Sequence, residues 1–158
     1  MPEAQAQVVL AFDFGLRRIG IAAGDTVSRT AAPQGALQVP ASGIDWNQIE
    51  KTLNAFHPAL LVVGSPRNAD GSAGTLSAAA DRFALALAQR SRLPVERTDE
   101  YASSLEAADT LRAQRASGQR RRRVQRGDID SAAAAIILER WLNREQITVR
   151  SDGSGRDD

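Results

Sequence analysis

The chain has 158 residues, 42% hydrophobic and 25% charged, with a net charge of +1; this is globular composition, with room for one core and not for two catalytic lobes. No run approaches the roughly 18 apolar residues of a membrane span, and residues 1–9 carry neither a basic stretch nor a long apolar one, so no membrane association and a cytoplasmic location without a signal peptide are expected. The absence of cysteine and the single histidine, His57, exclude cysteine nucleophiles, disulfides, thiolate metal sites and catalysis by paired histidines, leaving carboxylates, hydroxyls, arginines and hard metals.

In chain order, Val8 to Phe12 and Ile19 to Ala23 are apolar runs separated by Asp13 and Gly15, which predicts strand, tight turn, strand. Ala31 to Val39, broken by Pro33 and Gly35, reads as a third strand at a sheet edge. Trp46, Ile49, Leu53 and Phe56 recur at helical spacing after Asp45, a cap residue, and the pattern stops at Pro58. His57, at that helix end, is read as structural. Leu60 to Val63 predicts a strand buried on both faces, followed by a loop over Gly64 to Gly74. A helix from about Thr75 to Arg90, a strand at Val95 to Thr98, and helices at Ser103 to Ala116 and Asp130 to Arg144 complete the chain. A meander followed by alternating helices and strands implies an α/β fold: a mixed five-stranded sheet, its first three strands antiparallel and the later ones parallel, with helices on both faces. Residues 6–148 are expected to form a single domain, and the polar segment 149–158 a disordered tail.

Acidic residues mark the ends of these elements: Asp13 after the first strand, Asp99 and Glu100 after the strand at Val95, and Asp128 and Asp130 before the last helix. Carboxylates gathered without histidine or cysteine suit Mg²⁺ or Mn²⁺, which prefer oxygen ligands. Two such ions about 4 Å apart activate water and stabilise the leaving oxygen in phosphodiester hydrolysis. Each acid also has a plain reading: Asp13 as a turn residue, Asp128 or Asp130 as a helix cap. Adjacent strand residues face opposite ways, so one of Asp99 and Glu100 is expected to face such a site.

The segment Ala11-Phe12-Asp13-Phe14-Gly15-Leu16-Arg17-Arg18-Ile19-Gly20-Ile21-Ala22 resembles the opening signature of the YqgF/RuvX family. Three later segments are similar to family motifs in the same order. Val62 to Gly71 is similar to its G-L-P-x-N-x-D-G loop, Asp99-Glu100 to its D-E-R, and Asp130-Ser131-Ala132-Ala133-Ala134 to its D-S-A-x-A helix, so the likeness spans about residues 8–142. The chain departs from the pattern at Tyr101, where the family has Arg, and at Arg67 and Ala69 in the loop. The resemblance implies a ribonuclease H-like fold and a two-metal nuclease using Mg²⁺ or Mn²⁺, with catalytic, metal-binding carboxylates at Asp13, Glu100 (Asp99 as alternate) and Asp130. It implies trimming of the 5′ end of pre-16S ribosomal RNA; by analogy with RuvC the family is also called a Holliday-junction resolvase. Asp128 is then a cap or outer neighbour.

The net charge conceals a separation. Positions 112–126 hold seven arginines and no acid, +7 against a chain total of +1, which leaves −6 elsewhere. Arg120, Arg121, Arg122, Arg123 and Arg126, just ahead of Asp130, together with Arg17 and Arg18 near Asp13, are the expected nucleic-acid contacts, because cations beside an anionic site offset its repulsion of a phosphate backbone. Ser65, Asn68 and Asp70 are read as turn formers. Trp46, Phe56, Phe83 and Trp141 fall at helical core positions, so no platform for stacking bases is expected. Binding should rest on phosphates and shape, and the resemblance implies RNA as the preferred substrate, with branched or single-stranded DNA possible. Two rivals are a dimeric resolvase of branched DNA, whose two symmetric cuts need paired sites, and a noncatalytic nucleic-acid-binding module. Monomer and homodimer both remain open.

Overall fold

In the computed structural model, which describes residues 6–65, 74–98, 104–116 and 126–156, five strands and four helices follow the expected order. The strands are β1 (Val8–Phe14), β2 (Arg18–Asp25), β3 (Ala31–Gln38), β4 (Leu60–Gly64) and β5 (Val95–Thr98). The helices are α1 (Trp46–Phe56), α2 (Gly74–Ser91), α3 (Ser104–Ala116) and α4 (Arg126–Arg156). The sheet runs β3-β2-β1-β4-β5, antiparallel on the β3-β2-β1 side and parallel from β1 through β4 to β5.

Strand alternation sorts the apolar residues of β1 onto two cores. Leu10, Phe12 and Phe14 join Ile19, Ile21, Leu61 and Val63 beneath α1 and α2, where Ile49, Phe83 and Leu87 fill the space. Phe83 is the hub: its ring lies 5.8 Å from Phe12, 5.2 Å from Phe14 and 5.6 Å from Trp46. Val9 and Ala11 face the other way and meet Ala22, Val62 and the α4 residues Ala134, Leu138, Trp141 and Leu142. The unbroken apolar run from Val8 to Phe12 is therefore explained by helices on both faces.

Helix α1 ends as its sequence foretells. The Asp45 carboxylate accepts from the Asn47 N–H at 3.1 Å, and His57, left-handed at φ 49°, donates its N–H to the Leu53 carbonyl. Helix α4 is longer than expected. It begins four residues before Asp130 and runs to Arg156 through the segment read as a tail, since extending an established helix costs far less than nucleating one. Helix α3 packs on α4 through Ala107, Leu111, Ala132 and Ala133, and Arg140 of α4 donates to Glu106 of α3. Glu139 accepts from the Ala31 N–H of β3 at 3.1 Å, which ties α4 to the sheet edge.

Helix α4 approaches the sheet closely at Gly20. A Cβ there would lie 2.0 Å from the Asp130 carbonyl oxygen and 2.4 Å from its carbon, so only glycine admits this contact. The obstructing atoms are backbone and cannot rotate aside. Gly20→Ala should therefore displace the first turns of α4 and cost about 1–3 kcal/mol or more in denaturant unfolding; stability equal to the native chain would contradict this packing.

Candidate active site

The structure places Asp13 inside β1 and not at its end, since the strand continues to Phe14. Its pairing partners are glycines on both sides, Gly20 in β2 and Gly64 in β4. With Val9 and Ala11 it shares the face that α4 covers. Ladder pairing to two neighbours is what carries the strand past the acidic residue, whereas Asp next to Gly in isolation reads as a turn. Asp130 is likewise inside a helix, at the fifth residue of α4, and Asp128 lies in its first turn, where a negative charge complements the positive helix end. The Ser131 hydroxyl donates to the Asp128 carbonyl at 3.2 Å.

The Asp130 backbone packs on Gly20, which stands opposite Asp13, and this brings the two acids near enough for the charge of Asp130 to act on Asp13. Burial, and secondarily the charge of Asp130, pushes the Asp13 carboxyl up to about 7. Arg18 supplies the local counter-charge: its Nε donates to Asp130 Oδ2 at 2.6 Å, with both side chains about a third exposed or less. The two adjacent arginines thus separate in role. Arg17 is exposed, and its backbone carbonyl accepts from the Val39 N–H at 2.8 Å, while Arg18 turns onto the α4 face.

The donor set of this cluster is oxygen only, which suits a hard cation. Among the described residues no group of three acidic, histidine or cysteine side chains forms a metal cage. Asp99, Glu100, Tyr101, Arg67, Asn68, Ala69, Asp70 and Arg120 to Arg123 lie outside the described residues, and Arg126 opens the α4 backbone with its side chain outside them too. Ser65, just after β4, is buried at 3% exposure.

Arg97 is the residue that sequence reading missed. From β5 its guanidinium donates to Asp81 at 2.7 Å, to the Val63 and Thr98 carbonyls at 3.0 and 3.2 Å, and to the Ser65 and Ser77 hydroxyls at 3.4 and 3.3 Å. It thereby rivets the ends of β4 and β5 to α2, and Thr98 immediately precedes Asp99. Nothing in its sequence position signals this role, since it is one of two charged residues in a four-residue strand.

The elevated ionisation of Asp13 has a stability consequence in the absence of divalent metal. The carboxyl ionises at 3.8 in the unfolded chain and near 7 in the folded one, so folding is favoured while it is protonated and is penalised progressively as pH rises from about 4 to 7. The full penalty above pH 7 is on the order of 4 kcal/mol. In chelator, Asp13→Asn should unfold at higher denaturant than the native chain at pH 8, with the gain vanishing at pH 4; a gain independent of pH would contradict the burial of an ionising carboxyl.

Residues 7–144 match the family model described as "RuvX: Holliday junction resolvase". A protein of Xylella fastidiosa (strain M23), named "Putative pre-16S rRNA nuclease", is 40% identical over 146 residues, covering 90% of this chain and 94% of its own. A protein of the same name from Xanthomonas campestris pv. campestris (strain 8004) is 41% identical over 154 residues, covering 94% and 99%. The fold is shared with a solved structure of Thermus thermophilus RuvC in complex with a Holliday junction substrate. That likeness has a TM-score of 0.51 at 15% identity, over 90% of this chain and 97% of the other. The five-stranded mixed sheet is thus ribonuclease H-like, and with 40% identity across nearly its whole length to such relatives the chain belongs to the RuvX family.

Proposed function

We propose that this chain is a metal-dependent nuclease that hydrolyses phosphodiester bonds in 5′-end processing of pre-16S ribosomal RNA in the cytoplasm, with residues 6–148 as a single catalytic domain. The observation that carries this reading is that Asp13 and Asp130, acids from distant parts of the chain, are packed near enough across Gly20 to interact electrostatically, with Arg18 hydrogen-bonded to Asp130. The relatives' name supports RNA over branched DNA as substrate.

In this reading Asp13, Asp130 and Glu100 hold two Mg²⁺ or Mn²⁺ ions, with Asp99 the alternate to Glu100. Adjacent residues on a strand face opposite ways, so one of the two is expected to face the site, and Glu100 is the first choice. Bound divalent cations supply Lewis-acid polarisation of the phosphate and lower the pKa of the attacking water. Their charge also favours ionisation of Asp13, which burial alone resists. Arg17, exposed beside the site, and Arg120 to Arg123 with Arg126 grip the phosphate backbone, and Arg18 acts from its position on Asp130. The rigid elements bearing Asp13 and Asp130 fix the reacting geometry so that little ordering is needed at the moment of reaction.

The test is cleavage of a panel of single-stranded RNA, pre-16S 5′ leader, single-stranded DNA, duplexes and four-way junctions with Mg²⁺ or Mn²⁺. Asp13→Asn and Asp130→Asn should each lose at least ~100-fold in rate, beyond the roughly 10–100-fold typical when a residue that only orients a metal ligand is lost, while Asp13→Asn retains RNA binding. Unchanged cleavage in Asp13→Asn would overturn the site, and preferential cutting of junctions by a dimer would favour the resolvase. Binding should weaken steeply between 50 and 200 mM salt, as expected where phosphate contacts dominate.

A further inference from the structure

The arginine beside the paired carboxylates has a geometry that suits a second task. Arg18 leaves β2 on the α4 face, and its Nε sits 2.6 Å from Asp130 Oδ2, a short charge-assisted contact. Asp130 thereby has a cationic partner, and the largely buried Asp13 carboxyl feels the charge of Asp130. The chain has thus placed one positive charge where two negative ones converge. The pair is about a quarter to a third exposed, so water and ions reach it. An arginine has five N–H donors on a long stem and keeps its charge at any accessible pH, so it can leave one oxygen acceptor for another without a change of protonation.

We propose that Arg18 stands in for the divalent cation at Asp130 in the metal-free enzyme and yields that carboxylate when the metal binds, its guanidinium then turning to the phosphate of the substrate. This rests on the metal-dependent reading above. Two cations cannot both occupy the Asp130 carboxylate at close range without repulsion, so Arg18 sets the metal affinity downward and couples loading of the metal to release of a phosphate-binding group. Arg17 lacks this coupling, because its side chain is exposed to solvent.

The competition gives a sign that a mere bracing role does not. If Arg18 only held Asp130 in place, its removal would weaken metal binding; if it competes, its removal strengthens it. Mn²⁺ binding to the full chain, followed by electron paramagnetic resonance or calorimetry, separates the two. Arg18→Gln should bind Mn²⁺ on the order of 10-fold more tightly than the native chain, as loss of a neighbouring unit positive charge at an effective dielectric near 20 allows, yet cleave RNA more slowly at saturating metal. Arg18→Lys, which keeps the charge, should stay within about threefold of native affinity by the same Coulomb argument. Equal or weaker Mn²⁺ binding in Arg18→Gln, while Arg18→Lys binds as the native chain does, would overturn the competition and leave the nuclease reading standing. A native chain that binds no Mn²⁺, or whose Mn²⁺ affinity is unchanged by Asp130→Asn, would overturn both together.

Discussion

The contact between Gly20 and the backbone of Asp130 is the constraint on which the site depends. β2 is antiparallel to β1, so Gly20 stands opposite Asp13, and the missing Cβ lets α4 descend until the Asp130 carbonyl occupies the space that any side chain would fill. Ala134 and Ala135 continue that approach along the helix, with small side chains against Ala11, Ala22 and Val62, while Ala132 and Ala133 face α3. Two carboxylates more than a hundred residues apart are brought together by packing of the smallest residues available. Arg18, itself partly exposed with Asp130, offsets part of the cost of gathering like charges, and the rest shows in the raised pKa of the buried Asp13.

The same geometry explains why this end of the sheet is polar although both faces of β1 are otherwise apolar. Asp13 interrupts a series of buried residues that resumes at Phe14, so its carboxyl is held by a strand anchored on either side of it. A group fixed in this way moves little when its charge state changes, which is the condition for binding a cation in a defined position. Arg97 performs the equivalent service at the neighbouring strands, locking the β4 and β5 ends to α2 through carbonyls and hydroxyls.

Much of this was readable in the sequence. Periodicity located the elements, because each apolar run is short, bounded by glycine, proline or a cap, and buried for the reason its spacing indicates. The acids were readable as a class, since a chain with no cysteine and one histidine has few other means of hydrolysis. Their exact settings were not. Asp13 was expected to end a strand and Asp130 to precede a helix, whereas ladder pairing and helix propagation carry both elements past them. The pairing of Arg18 with Asp130 and the five-fold engagement of Arg97 span 112 and up to 34 residues, distances at which local pattern carries no information.

Whether Asp13 and Asp130 share a divalent cation is decided by crystals of the native chain soaked in Mn²⁺ and measured at the manganese absorption edge. An anomalous peak within bonding distance of carboxylate oxygens from both residues is expected, whereas manganese bound elsewhere, with the two carboxylates unliganded, would rule out a shared ion.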